Sequence, residues 1–438
     1  GEITWSFSYP SAFSNSDKIG YSKAWKTLAQ EVGSNTGIRH EIPEIEDDQR
    51  FRTESIATGQ FFADFDSSPS QDLLHTTCID VGGGTSDISI WQENDLVHQC
   101  SVQLAGRDLF SQFLSIDQMR FLNEHLLDNS KWSGLKSATT FSAKLDVWLR
   151  LQADDWLQNH RDLLIENSKF QGLIRLITIG YAGLFYYVGI ILKTLYQEKK
   201  LSREELTPIY MGGNASRFMN WLVTGGSFNN HSDVKDVLIR VFTQGTWFLC
   251  PDALTLSQDS LNRDYHDFEP DQRGFKEIGV EIYLSPKPKD EVACGLVLND
   301  TRLKGLNKRE RRADVLIAGE RYKLHGDELG PETRFDIKGN VANFDIPTLP
   351  ELQRFLYIFH KAIDELDPDE VTPLPKTVYT PSLKAADNEA LWRLTQRRLL
   401  NTLTKMRQDN DESVRVEPPF ILGLKALLQV LGEEWAKS

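Results

Sequence analysis

The residues with the clearest capacity for chemistry lie in one run, Cys78-Ile79-Asp80-Val81-Gly82-Gly83-Gly84-Thr85-Ser86-Asp87-Ile88-Ser89-Ile90. Alternating apolar residues flank the glycines, so a strand delivers Asp80 to a tight turn and the chain reverses into a second strand. With no Cβ at Gly82, Gly83 and Gly84, backbone N–H groups can come up against an anion, and such a turn can cradle phosphate. Asp80 then stands where a hydrated Mg²⁺ bridging terminal phosphates needs a carboxylate, because Mg²⁺ gives up its waters reluctantly. Thr85 could add a hydroxyl donor. A plain glycine-rich hairpin is the competing reading, although it has no need of the order D-x-G-G-G-T-x-D.

A second candidate is Pro208-Ile209-Tyr210-Met211-Gly212-Gly213-Asn214-Ala215-Ser216-Arg217. A short strand ends at two glycines, and a helix starting near Asn214 would offer unpaired N–H groups and its positive dipole end to a nucleotide. An ordinary strand-to-helix crossover has the same local pattern. A third group, Asp264, His266, Asp267, Glu269 and Asp271, could ligate a metal, or could simply be a solvated polar loop. The chain has no H-x-x-x-H spacing and no G-x-S-x-G elbow.

The elements that must position these groups follow from periodicity. Ile3 to Ser8 reads as a strand and Asp17 to Val32 as a helix ending at Gly33. A second extended stretch lies near Gly37 to Ile42, then an acidic loop, then a helix from about Glu54 to Phe65. The runs LLHTTCID and DISIW form the hairpin around the glycine turn. From Asp108 to about Tyr196 the pattern is mostly helical. Strands at Pro208 to Met211 and Val280 to Leu284 follow, with a helix around Val234 to Phe242 and another from about Asp290. A boundary falls between Asn299 and Arg312, where six of the eleven residues from Arg302 to Arg312 are basic, which reads as a solvated linker rather than a nucleic-acid patch. Beyond it come β-like runs near Val315 to Leu324 and Thr333 to Asp345, then helices at Leu352 to Leu366, Leu383 to Met406 and Phe420 to Trp435.

In these segments the sequence resembles the ATPase superfamily of actin, the seventy-kilodalton heat-shock chaperones and the bacterial actin-like filament proteins. DVGGGTSDISI is similar to that family's second phosphate motif, and Leu104-Ala105-Gly106-Arg107-Asp108-Leu109-Phe110 to the G-G-x-D-F segment of the chaperones. Thr53 to Gly59 resembles their first connecting helix, Tyr9 to Phe13 their V-P-A-Y-F loop, Pro208 to Arg217 the adenosine motif, and Pro288 to Gly295 the second connecting helix. The resemblance covers about residues 3 to 298. It implies Mg²⁺ and ATP as cofactors, with Asp80 holding the metal through water and Glu54 orienting the attacking water or the metal's hydration shell. Glu54 has a second reading, an acid favourable to its own helix dipole. Gly82, Gly83, Gly84 and Thr85 would contact the phosphates, while Gly212, Gly213, Asn214 and Arg217 would line the adenosine pocket. The second connecting helix would serve close packing and hinging, since its small residues let two helices cross.

The fold implied is α/β, an actin-like ATPase (ribonuclease H-like) fold lacking the first strands of lobe I, plus an α-rich C-terminal region. Residues 1–77 would be part of lobe I and 78–298 lobe II, with a helical subdomain at about 109–172 and an insertion at about 224–276. Residues 299–438 are a C-terminal α+β region that matches no pattern known to us. The family's first phosphate motif, D-x-G-T/S, and its catalytic lysine do not precede Gly1. Three explanations stay open: the sequence is a piece of a longer chain, the chain has abandoned hydrolysis, or Asp336-Ile337-Lys338-Gly339-Asn340 is a displaced phosphate loop in a circular permutation. The function expected is a chaperone-like or actin-like ATP switch with a protein partner or client. The alternative is a catalytically inactive actin-like scaffold.

Composition narrows the classes. With 438 residues, 40% hydrophobic and 10% aromatic, the chain can build two or three packed units. Its net charge of −14 argues against a general nucleic-acid binder. Four cysteines, Cys78, Cys100, Cys250 and Cys294, lie too far apart for a C-x-x-C site and fit a reducing cytoplasm. Leu176 to Leu192 carries no formal charge and reaches the lower length limit for a membrane span. A buried helix is the reading preferred here, with Gly180, Gly183 and Gly189 allowing close approach to a neighbouring sheet.

Overall fold

The computed structural model describes residues 1–11, 13–65, 73, 75–113, 147, 151, 158–159, 166–201, 208–246, 280–298, 314–317, 322–324, 326–330, 332–336, 344–346, 349–369, 371–408 and 417–437. The expected first strand is two short ones, β1 (Glu2–Thr4) and β2 (Phe7–Tyr9), followed by helix α1 (Asn15–Thr36). They pair in parallel with different partners, β1 with β3 (Arg39–Glu41) and β2 with β4 (Phe51–Thr53). Helix α1 begins two residues before Asp17 because Ser14 and Asp17 form a reciprocal capping box, the Ser14 N–H donating to the Asp17 carboxylate at 2.8 Å. It runs through Gly33 and ends at Gly37, whose φ of 70° supplies the left-handed cap and whose N–H returns to the Gly33 carbonyl. Phe7, Tyr9 and Phe51 form a small aromatic core, covered by Trp5, Tyr21 and Trp25.

Helix α2 (Glu54–Phe65) leads into an antiparallel meander, β5 (Thr76–Val81), β6 (Ser86–Gln92) and β7 (Asp95–Val102). The sequence reading stopped at Trp91. Strand β7 follows after Glu93 and Asn94, both in the left-handed region (φ 50° and 67°), a two-residue hairpin turn without the glycine that usually marks one. On its other side β5 pairs in parallel with β8 (Ile209–Gly212), and β8 with β9 (Ile282–Leu284). The five-stranded order is therefore β7-β6-β5-β8-β9. The chain leaves β5 towards β6 and leaves β8 towards β9, in opposite directions. The carboxyl ends of β5 and β8 thus bound a topological switch point, where open α/β sheets leave a crevice.

A parallel β5–β8 pair needs a long crossover, and helix α3 (Ser168–Gln197) lies on it. Helices α4 (Asp233–Thr246) and α5 (Asp290–Val297) come next, then the short strands β10 (Asp314–Leu316), β11 (Tyr322–Leu324), β12 (Asp327–Leu329), β13 (Arg334–Asp336) and β14 (Phe344–Asp345). These strands break the two β runs expected from the sequence into a β10–β13 pair and a β12-β11-β14 sheet. Helices α6 (Pro350–Leu366), α7 (Glu389–Gln408) and α8 (Pro419–Lys437) complete the described chain. Helix α7 starts later than the periodicity suggested because Ala385–Asn388 is a 3₁₀ turn.

Helix α3 is the described helix long and apolar enough to cross a membrane, and 94% of its most apolar 18-residue window is buried inside the protein. Its glycines are met by helical segments and not by a sheet. A Cβ on Gly180 would touch Leu109 at 2.5 Å, and one on Gly183 would overlap Leu424 of α8. At Gly189 the backbones of α3 and α4 come together, a Cβ there overlapping the Phe242 carbonyl, and one on Gly245 reaching Tyr186 O at 2.5 Å. One continuous core therefore runs from Ile79 in the sheet to Trp435 in α8. Most of the expected helical subdomain, the later part of the insertion, the basic linker, the Asp264–Asp271 group and Ile337–Asn340 lie outside the described residues.

Because backbone lies on both sides of that crossing, neither helix can yield locally. Gly189→Ala should lower the unfolding free energy by about 1–3 kcal/mol. Gly20→Ala, on the open face of α1 with nothing within 4 Å, should be neutral or stabilise by up to about 1 kcal/mol. Urea titrations followed by circular dichroism on both variants check the pair; equal effects would remove the backbone-contact argument.

Candidate functional site

Asp80 is the next-to-last residue of β5, and the sheet register sets its neighbours: Asp87 across β6 and Gly212 across β8. Thr58, on the second turn of α2, donates its hydroxyl to Asp80 Oδ2 at 3.3 Å. Gly213 follows β8 with φ 79°, and a Cβ there would overlap both Asp80 Oδ1 and the Val81 carbonyl. Only glycine satisfies that conformation and that approach. Glu291, fully buried on the first turn of α5, takes the Gly213 N–H on Oε1 at 3.2 Å and the Lys289 N–H on Oε2 at 2.6 Å. Asp87 accepts the Ser11 N–H at 3.4 Å, and Ser11 Oγ lies 2.7 Å from Ser55 Oγ, beside Glu54. Ser11, just beyond β2, the start of α2 and the start of β6 are thereby tied to the strand that carries Asp80.

The charges do not favour one another. Burial and the neighbouring Asp87, Glu291 and Glu54 carboxylates hold Asp80 well above the usual carboxylate range, with the Thr58 bond opposing them. Glu54 is pushed up to about 7 by burial and by Asp87. A set of oxygen donors with this excess of negative charge suits a hard cation such as Mg²⁺. Among the described residues no three His, Cys, Asp or Glu side chains come together as a direct metal site.

The glycine turn has a different character. The Gly82 N–H closes it on Thr85 O at 2.9 Å, and two amides from the next segment lock it from outside, Gly106 N to Gly82 O at 3.0 Å and Arg107 N to Gly83 O at 2.9 Å. The N–H groups of Gly83, Gly84 and Thr85 make no hydrogen bond among the described residues. None of the three turn glycines has a positive φ, so their contribution is the missing side chain rather than an unusual conformation. Arg107 Nη1 lies 3.8 Å from where a Gly84 Cβ would be, which sets a cation beside the open amides. Amides and a guanidinium around a turn are an anion-binding arrangement.

The segment after β8 corrects one expectation. The helix expected from near Asn214 is a 3₁₀ helix, Asn214–Leu222, and the N–H of Gly213, which precedes it, is taken by Glu291. The three-residue period aligns Asn214, Arg217 and Asn220 on one partly exposed face, while Ala215, Phe218, Met219 and Leu222 are buried. Tyr181 of α3 donates its hydroxyl to the Ala215 carbonyl at 2.5 Å and anchors this helix from below.

The structure therefore brings Asp80, Gly82–Thr85, Gly212 and Gly213 together at the carboxyl ends of β5 and β8, with Glu54 within electrostatic reach of Asp80 and Asp87 and with Asn214 and Arg217 on the 3₁₀ helix that follows β8. Four contributors were not assigned a role from the sequence: Asp87, Thr58, Glu291 and Arg107. Asp87 and Arg107 stood inside quoted motifs, and Glu291 inside a segment read as packing alone. That packing is also present: a Cβ on Gly295 of α5 would overlap the Ala57 carbonyl of α2. Cys78 and Cys100 are buried and Cys294 is partly exposed, and none of the three forms a disulfide among the described residues. No protein-family model matches the chain, and no curated protein matches it.

The raised carboxylates fix a pH dependence. Glu54 binds a proton in the folded chain up to about pH 7 but in the unfolded chain only up to its ordinary 4.5. The folded state then holds more protons across that window, so stability without ligand is full below it and falls as pH rises through it. Glu54 alone accounts for on the order of 3 kcal/mol, and Asp80 adds in the same direction. Thermal unfolding at about pH 5 and about pH 8 should show the loss, and Glu54→Gln and Asp80→Asn should each flatten the slope and raise Tm at the higher pH. A slope unchanged in both variants would contradict the electrostatic account.

Proposed function

We propose that this protein binds ATP with Mg²⁺ in the crevice at the carboxyl ends of β5 and β8, as an ATPase switch of the actin and heat-shock chaperone type. The observation that carries the reading is the placement, at a single switch point, of an anion-accepting turn and a carboxylate cluster. The open amides of Gly83, Gly84 and Thr85 lie on the same hairpin as Asp80 and Asp87. A ligand that is both polyanionic and metal-bound matches the two halves together. Either half alone would be a poor site, since phosphate would meet Asp80 and a cation would meet Arg107.

In this reading the turn amides and Arg107 bind the terminal phosphates, and Asp80 orients the metal's hydration shell. Bound Mg²⁺ would supply neutralisation of the phosphate charge. Glu54, with its carboxyl held near neutrality, accepts a proton from a positioned water or holds that water in line, as positioning and charge neutralisation dominate phosphoryl transfer. Asn214 and Arg217 lie on the β8 side, where the adenosine would rest. The α2–α5 crossing at Ala57 and Gly295 couples the two sides of the crevice, which suits a switch that acts on a protein partner or client. A cytoplasmic setting, where free thiols persist, belongs to the same reading.

Titration calorimetry with MgATP should give saturable binding that Asp80→Asn weakens by about tenfold or more. Removing the Asp80 charge is expected to stabilise the unliganded fold, so a loss of binding cannot be charged to unfolding. Glu54→Ala should cut phosphate release by about a hundredfold or more while ATP still binds. Absence of binding in the unmodified chain removes the proposal; binding without phosphate release in that chain selects the inactive actin-like scaffold instead.

A further inference from the structure

The segment that locks the glycine turn is itself held from the other side by the last helix. Its inner edge faces the turn: Ser86 Oγ donates to Leu104 O at 2.5 Å, Gly106 N to Gly82 O at 3.0 Å and Arg107 N to Gly83 O at 2.9 Å. Its outer edge faces α8. Glu417, just before that helix and 1% exposed, accepts the Gln103 N–H at 3.0 Å. Lys425 donates to Gln103 O at 2.7 Å and pairs with Asp108 Oδ1 at 3.3 Å. Both backbone groups of Gln103, the first residue beyond β7, are therefore satisfied by charged side chains more than three hundred positions away.

Helix α8 is fixed independently of these bonds. Leu424 and Leu428 pack against Gly183 and Gly180 of α3, and Trp435 Nε1 donates to the Lys169 carbonyl at 2.8 Å. These contacts hold the helix at places other than Gln103 and Asp108. Placing a carboxylate in the interior and a lysine between a carbonyl and Asp108 is a costly way to add stability, because each charge loses water. What the two charges add is position: they fix residues 103–108 relative to α8, and those residues fix the turn whose amides stay open.

We propose that Lys425 and Glu417 are positioning residues for the glycine turn, which makes the C-terminal helix part of the anion site's machinery. The inference rests on the nucleotide reading above for its ligand, but the mechanical connection does not. A movement of α8, imposed by a partner or by the rest of the C-terminal region, changes the spacing of the Gly83–Thr85 amides. By reciprocity, a phosphate group drawn onto those amides changes the hold on α8.

The test uses the full chain with Lys425→Met, Lys425→Arg and Glu417→Gln. Arg240→Ala is the control, since the Arg240–Glu365 pair at 2.8 Å links α4 to α6 away from the turn. Hydrogen exchange without nucleotide should speed up at the Gly106 and Arg107 amides by about tenfold or more in Lys425→Met. Glu417→Gln should show a smaller gain, Lys425→Arg should restore protection, and Arg240→Ala should leave those amides unchanged. ATP affinity should fall by about five- to fiftyfold in Lys425→Met and recover in Lys425→Arg, in variants whose circular dichroism matches the unmodified chain. Unchanged exchange at Gly106 and Arg107 in both Lys425→Met and Glu417→Gln overturns the proposal, as does unchanged ATP affinity when exchange is faster. If the unmodified chain does not bind ATP, the nucleotide reading fails on its own, and the exchange arm still decides whether α8 holds the turn.

Discussion

The contact on which most of the architecture depends is that of the Asp80 carboxylate with the backbone of Gly213, across the parallel pair β5–β8. It requires two strands that are adjacent in the sheet yet far apart in sequence, and a parallel pair can be joined only by a crossover. Helix α3 lies on that crossover. Since one face of α3 meets the segment beside the sheet, through Leu109 and Ala215, the others must be covered from elsewhere. Helices α4, α6 and α8 supply that cover. The apolar stretch with the length of a membrane span and the helix-rich C-terminal region are thus two consequences of one pairing.

The same contact explains why the site is electrostatically unfavourable without a ligand. Pairing fixes Asp80 opposite Asp87, and the glycine approach brings Glu291 to the Gly213 amide close by. In a chain of net charge −14, no overall positive field offsets that crowding. Local devices do the compensating instead: backbone amides on Glu291, a hydroxyl on Asp80, a backbone amide on Asp87 and raised proton affinity at Glu54 and Asp80. These devices are weaker than a divalent cation would be. A cluster that opposes stability is where ligand binding has most to gain.

What could be read from the sequence was local, and what could not was set by partners far along the chain. The hairpin around Gly82–Gly84 was legible because period-two alternation and a glycine run are both short-range signals. Strand β7 was missed because its turn, Glu93-Asn94, uses two non-glycine residues with positive φ. The helix end at Gly37 was misplaced because Gly33 offers the same residue type four positions earlier, and only the cap bond separates them. The 3₁₀ character of Asn214–Leu222 was hidden by its length, since nine residues give little power to tell a period of three from 3.6. For the glycines of α3, the sequence showed that something approaches closely; that it is α4 and α8 rather than the sheet depends on the fold as a whole. Glu291 was passed over because its segment, Pro288 to Gly295, had a sufficient local explanation in close helix packing, and only the bond to Gly213 shows its second role.

That last point bears on how the crevice would work. Helices α2 and α5 cross at Ala57 and Gly295 with no room for a side chain, so the crossing can pivot but cannot part without losing backbone contact. Each helix carries an acid in its first turn, Glu54 on α2 and Glu291 on α5, and both press on Asp80. The three acids meet near the N-terminal ends of the two helices, so neutralising Asp80, by a proton or by a cation, relieves the unfavourable field that both helix ends face. The amides of Gly106 and Arg107 on the Gly82 and Gly83 carbonyls, and Lys425 on the Gln103 carbonyl, join the glycine turn beside Asp80 to α8 by hydrogen bonds.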